Sequence, residues 1–217
     1  MSVADSILDK LNPRQQEAVR YCDGPLLVLA GAGSGKTRVL AHKIAYLIEK
    51  GYASPKGILA VTFTNKAARE MGERVQALVG AKASAMQVST FHSFGLHFLF
   101  RNSDQLEFLG LRKGFAIFDR NDSRSLVKKI MEDLKLDPKQ IDPTNVLDHI
   151  SKAKTEGNHK TLEPVGLEGI EHEVYRKYHD ELRRQNAVDF DDLLILPLHL
   201  LMVDEKLREQ EQSRLDW

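Results

Sequence analysis

Leu26–Thr37 reads LLVLAGAGSGKT, and this stretch decides the fold. Four apolar residues, Leu26 to Leu29, predict a strand, and Lys36-Thr37 predict the opening of a helix beyond a glycine-rich turn. Strand, loop and helix in that order make a phosphate-binding loop. Gly31, Gly33 and Gly35 let the backbone turn tightly and bring N–H groups close to phosphate oxygens. The helix behind the loop turns its positive dipole end toward the same anion. Lys36 is placed to reach the β- and γ-phosphates, and the Thr37 hydroxyl to ligate Mg²⁺, so these two are the candidate catalytic residues. The cradle comprises Ala30, Gly31, Ala32, Gly33, Ser34, Gly35, Lys36 and Thr37, with Ala30 standing where the strict pattern has its first glycine. A glycine-rich turn with a surface lysine is the alternative, and the flanking strand and helix signals argue against it.

The chain has 217 residues, room for one large or two small domains. Its 42% hydrophobic content suffices for a packed core. Lys+Arg and Asp+Glu both number 31, so the net charge is zero and any nucleic-acid face must be local. The lone Cys22 excludes an internal disulfide framework and suits a reducing compartment. The opening MSVADSILDK does not read as a signal peptide, and no apolar run approaches the ~20 residues of a membrane span. A cytoplasmic protein without a membrane partner is expected.

Outward from the loop, residues 1–10 read as a frayed lead-in, and Asn12 and Pro13 as the N-cap and first residue of a helix. Gln15 either completes a capping box or offers its amide to adenine, and the sequence alone leaves both open. After the loop come an amphipathic helix from about Arg38 to Lys50, with Val39, Leu40, Ile44, Leu47 and Ile48 on its apolar face, and a strand over Ile58–Thr62. A helix from Lys66 to about Val79, a short strand over Gln87–Thr90 and a further helix follow. This alternation predicts an α/β fold with a parallel sheet. No convincing strand stands out between Phe100 and about Asn186, where helices are expected over Asn121–Leu136, Pro138–Lys154 and Glu168–Arg184. A last apolar helix, Leu193–Val203, and a charged helical tail close the chain.

Five ordered segments, LNPRQQEAV, AGAGSGKT with Arg38, VTFTNKAAREM, VSTFHSF and VDFDDLL, resemble the N-terminal part of the UvrD/Rep/PcrA DNA helicases of superfamily 1. The resemblance runs from about residue 10 to the end. It implies a RecA-like P-loop parallel sheet, here partial, with an all-helical insertion. The corresponding division is 1–98 for the first part of the motor core, 99–186 for the insertion and 187–217 for the return to the core. It implies ATP and Mg²⁺ as cofactors and 3′ to 5′ translocation on single-stranded DNA, with junction DNA a further partner. Gln15 and Arg38 match the family's adenine-contacting glutamine and base-proximal arginine; an exposed helix charge is the alternative for Arg38. Thr62, Phe63, Thr64, Asn65 and Lys66 match a segment that meets single-stranded DNA, and an aromatic ring at a strand's carboxyl end suits sequence-independent stacking. A core Phe63 and a merely capping Asn65 are the alternatives. Thr90 and His92 match the next DNA-contacting motif, and Phe190 lies in a motif near the DNA path. Helix capping by Asp189 is the simpler reading of the Asp189, Asp191 and Asp192 carboxylates.

The family's DExx box is not found; Val203-Asp204-Glu205 follows a helix-like run and does not qualify. The expectation is therefore an N-terminal fragment that binds nucleotide and DNA weakly and hydrolyses little. An exposed sheet edge in such a fragment invites self-association. A nucleotide-sensing P-loop protein without motor activity and the first part of a helicase–nuclease subunit are the competing readings, and the VTFTNKAA and STFHSF segments argue against a small-molecule kinase.

Overall fold

The structure is a computed structural model that describes residues 3–137 and 141–217. The chain falls into two compact units, one of residues up to Phe91 with Glu209–Trp217, the other of His92–Arg208.

The first unit opens with α1 (Val3–Leu8) and α2 (Pro13–Arg20). The expected frayed lead-in is thus a helix. Ile7 is buried against Ala41, Ile44 and Leu47, and Leu8 packs with Leu11, Val19 and Val39, which holds a helix too short to persist alone. After the loop, α3 (Lys36–Lys50) ends at Gly51, whose φ of 72° is left-handed. Its buried stripe includes Val39, Ile44, Leu47 and Ile48, but Leu40, expected on that stripe, is exposed. Strand β1 (Leu59–Thr62), helix α4 (Asn65–Val79) and strand β2 (Gln87–Thr90) follow, and the strands pair in parallel from Leu59↔Gln87 to Thr62↔Thr90.

The strand expected over Leu26–Leu29 does not form. That segment has no ladder partner among the described residues, and Leu27 and Leu29 stand 82% and 86% exposed. An apolar run becomes a strand only when a neighbour accepts its backbone bonds. One edge of β1 is taken by β2. At the other, Leu59 N–H donates to the Trp217 carbonyl at 2.9 Å and Trp217 N–H donates to Gly57 at 3.1 Å, the slanted pattern of parallel pairing. An apolar groove of about 860 Å³, walled by Leu26, Val28, Leu40, Ile44 and Val61, lies beside this edge.

The second unit begins directly after Phe91, within α5 (Phe91–Arg101), the helix that continues from β2. It runs on through β3 (Ala116–Ile117), α6 (Arg120–Asp133), α7 (Pro143–Thr155), α8 (Gly169–Arg184), β4 (Ala187–Val188) and α9 (Asp192–Val203); α10 (Glu205–Arg214) carries the chain back to the first unit. The stretch read as strand-free holds β3, which pairs in parallel with β4 and is too short to show an alternating pattern. The helix expected from Pro138 starts at Pro143 behind the Asp142 cap; the first three residues of that expectation lie outside the described residues. Pro197 inside α9 lacks the N–H that would bond the Leu193 carbonyl. Gly95 of α5 packs on that same carbonyl, and a Cβ there would fall inside van der Waals contact. Gly95→Ala therefore should destabilise this unit by about 1–3 kcal/mol, read as a lower urea midpoint at unchanged slope.

Candidate functional site

The loop is built as its residue types require. Gly33 and Gly35 hold φ of 73° and 85°, the left-handed region. Ala30 is not among the residues with positive φ, so its Cβ carries no backbone penalty in the place of the first glycine. Lys36 donates to the carbonyls of Ala30 and Gly31, each at 2.7 Å, so its ammonium is held over the loop. The Ser34 hydroxyl donates to the Gly31 carbonyl at 2.7 Å. Ala32 and Thr37 are exposed, Thr37 in the first turn of α3. Among the described residues no group of three or more His, Cys, Asp or Glu side chains is placed to hold a metal ion.

Gln15 does more than either alternative foresaw. Its Oε1 accepts from Asn12 N–H at 3.1 Å while its own N–H donates to the Asn12 carboxamide oxygen, completing the capping box. Its Nε2 donates to the Ser34 carbonyl at 3.1 Å, so the cap of α2 is tied to the loop. Arg38 is exposed on α3, as its alternative reading had it, and donates to the Lys10 carbonyl.

At the carboxyl end of β1, Phe63 is 91% exposed, which removes the core alternative for it. Its ring lies 5.6 Å from that of Phe91, which follows the adjacent strand β2. Thr64, not Asn65, caps α4, accepting from Ala67 N–H at 3.1 Å, and Thr62 donates to the Thr64 carbonyl at 3.1 Å. Asn65 and Lys66 are exposed on the first turn of α4, and Thr90 is buried at the end of β2.

In the second unit, β3 and β4 likewise end side by side. Phe118 and Asp119 come after one, Asp189 and Phe190 after the other, and a cavity of about 350 Å³ lies among them with His92, Arg120 and Ser151. Phe190 is half-exposed and meets His92 edge-on, ring centres 5.5 Å apart. Beneath it, buried Lys154 of α7 bonds both Asp189 oxygens at 2.7 Å and Asp192 at 2.8 Å. Tyr178 of α8 donates to Asp189 at 3.0 Å, and Arg183 reaches Asp192 at 3.3 Å. Asp189 also accepts from the N–H of Asp192, the first residue of α9, at 2.9 Å, while the N-cap position itself falls to Asp191, whose side chain makes no cap bond. Burial opposes ionisation of Asp192, but the Lys154 and Arg183 charges outweigh it and hold its carboxyl below the usual range. Burial also opposes the Lys154 charge, and Asp192 and Asp189 together raise it above an ordinary lysine. Asp191 shifts the other way: burial and the Asp189 charge push it up.

Lys154, Tyr178 and Arg183 went unread in the sequence. A signal was present: Lys154 sits on the apolar face of α7 with Val146, Ile150 and Ala153, and Tyr178 between Val174 and Leu182 on that of α8. A lysine on a buried stripe needs a counter-charge.

A parallel α/β unit carrying a glycine loop with an ammonium held over it defines a phosphate-binding-loop protein. The family model described as "UvrD/REP helicase N-terminal domain" matches residues 11–217, and the chain belongs to that family. It is 44% identical over 206 residues to the ATP-dependent DNA helicase PcrA of Bacillus subtilis (strain 168), a match covering 91% of this chain and 27% of that protein. Helicases of the same name from Staphylococcus aureus (strain Mu50) and Staphylococcus epidermidis are 40% and 39% identical, each over 98% of this chain and 29% of the relative. The chain thus spans less than a third of the length of these relatives. Among the described residues no helix is long and apolar enough to cross a membrane.

The buried charges give a signed prediction. Lys154→Met leaves buried Asp189 without a cation and Asp192 with Arg183 alone, and should cost about 3–5 kcal/mol. In the parent chain the Asp192 contribution is complete above about pH 4 and is lost as pH falls through its lower folded pKa. Without Lys154 only Arg183 and weaker charges oppose the burial of Asp192, so the loss of stability as pH falls from about 7 to about 3 should be shallower than in the parent chain. Urea unfolding at the two pH values checks the difference.

Proposed function

We propose that this chain is the nucleotide-binding first part of an ATP-dependent 3′ to 5′ DNA helicase that moves on single-stranded DNA, in the cytoplasm, in DNA repair or replication. The observation that carries the reading is the pairing, in one unit, of the glycine loop under Lys36 with the 91% exposed Phe63 at a strand's carboxyl end. Residues 1–98 and 187–217 supply RecA-like core and 99–186 the helical insertion. Loop N–H groups and Lys36 hold the phosphates, Gln15 and Arg38 border the base, and Thr37 supplies one Mg²⁺ ligand. The metal, when bound, neutralises phosphate charge. Thr62, Phe63, Thr64, Asn65 and Lys66 in the first unit, and His92 and Phe190 in the second, are contacts for single-stranded or junction DNA; Thr90, buried at the end of β2, is not part of the contact surface. Phe63 supplies a face on which any base can stack, and Lys66 a charge for the backbone.

The 217-residue chain binds nucleotide but turns it over little, because phosphoryl transfer needs charge stabilisation beyond a loop and one hydroxyl. The β1 edge, met by Trp217 at Leu59, and the apolar groove beside it favour weak self-association.

The test is nucleotide binding and ATP hydrolysis, with and without single-stranded DNA, beside Lys36→Ala. Loss of a charge-assisted contact worth about 1.5–3 kcal/mol should weaken nucleotide binding tenfold or more. Robust Lys36-dependent turnover would overturn the incomplete-site reading. Phe63→Ala should weaken single-stranded DNA binding by about 1–3 kcal/mol across all sequences, and Lys66→Ala should lower the salt slope by about one; fluorescence anisotropy at several salt concentrations reads both.

A further inference from the structure

We propose that Lys154 and Tyr178 are positioning residues for Phe190: by gripping the Asp189 carboxylate from two helices, they fix the turn between β4 and α9 so that the Phe190 ring is held ready beside His92 to receive a base. This rests on the reading of Phe190 as a DNA contact.

The turn is anchored almost wholly through its acids. Val188, Asp189 and Asp192 are buried, while Phe190 between them is 48% exposed. Asp189 takes Lys154 on both oxygens, Tyr178 on one and the Asp192 N–H on the other, so three helices converge on one carboxylate. Arg183 adds a clamp on the far side, donating to the Ala187 carbonyl at 3.1 Å and to Asp192. The group contains two cations and two anions and is locally neutral. Stability alone does not explain it, since well-packed apolar residues in place of a buried ion network are often as stable or more so. A directional network does give what an apolar core cannot: a single backbone geometry for the residue next to it. The ring projecting from that backbone then loses little freedom when a base stacks on it, which is where preorganisation gains affinity. The adjoining cavity of about 350 Å³ gives the ring an open face.

The experiment uses the 217-residue chain and a single-stranded oligothymidylate carrying one 2-aminopurine, whose fluorescence reports stacking. Phe190→Ala should weaken binding about tenfold and reduce the fluorescence quench. Tyr178→Phe removes one hydroxyl from a site that Lys154 still neutralises, so the unit remains folded by circular dichroism. It should weaken binding about threefold with Phe190 present and have no effect in the Phe190→Ala background. Lys154→Met should show the same dependence on Phe190; should it unfold, the Tyr178→Phe cycle decides. Equal losses in both backgrounds would overturn the positioning role and leave Phe190 as a DNA contact. No effect of Phe190→Ala, or no binding by the parent chain, would overturn the DNA reading and the positioning role with it.

Discussion

Parallel pairing is the constraint on which the rest of this structure depends. Strands that run the same way cannot be joined by a tight turn, so a helix must carry the chain back between them. Helix α4 does this between β1 and β2, and α6, α7 and α8 do it between β3 and β4. Both members of each pair therefore end on the same side. Thr62 stands level with Thr90, and Ile117 with Val188. The residues after each strand emerge beside those after its partner: Phe63 beside Phe91 in one unit, Phe118 and Asp119 beside Asp189 and Phe190 in the other. Open α/β sheets bind ligands at their strands' carboxyl ends for this reason. Here the device recurs with only two residues per strand in the second unit.

The deepest charges of the second unit are all paired. Lys154 and Arg183 are consumed inside the second unit by Asp189 and Asp192. Glu181 is held by Arg184 and Gln185, with its carboxyl lowered to about 2. Several surface cations close onto acids one helical turn away, as Arg69 does on Glu73 and Arg214 on Glu211. Zero net charge is thus a balance of totals, 31 against 31, and does not mean that each surface charge has a partner. Lys66, exposed beside Phe63, is one position where a backbone phosphate could find a cation next to an aromatic face.

The helices and β1–β2 were legible because their signals are local: caps such as Asn12 and Asp142, stops such as Gly51, and apolar residues at helical spacing. The illegible parts were set by distant partners. Leu26–Leu29 has the composition of a strand, but a strand is a relation between segments, and no described segment offers the second half. The lead-in looked polar and frayed because the apolar side chains that hold it, Ile7 and Leu8, reach residues more than thirty positions away in α3. The β3–β4 ladder is shorter than one period of alternation. In the candidate site, the loop glycines and Lys36 could be read directly. The Gln15 bond to Ser34 could not, because both alternatives for Gln15 used its amide for one purpose.

The bonds of Lys36 bear on how the proposed phosphate site would fill. Lys36 rests on two neutral carbonyls, Ala30 and Gly31, at ordinary hydrogen-bond length. A phosphate oxygen entering the loop competes with these for the ammonium and offers a full charge, and charge-assisted bonds are about twice as strong as neutral ones. The exchange runs toward the phosphate. The backbone need not rearrange to allow it, since Gly33 and Gly35 already hold the left-handed turns that a phosphate cradle requires. At Gly31 and Gly33 a Cβ would meet nothing within 4 Å, so crowding does not require glycine at either position. Gln15, by donating to the Ser34 carbonyl, ties this loop to the start of α2.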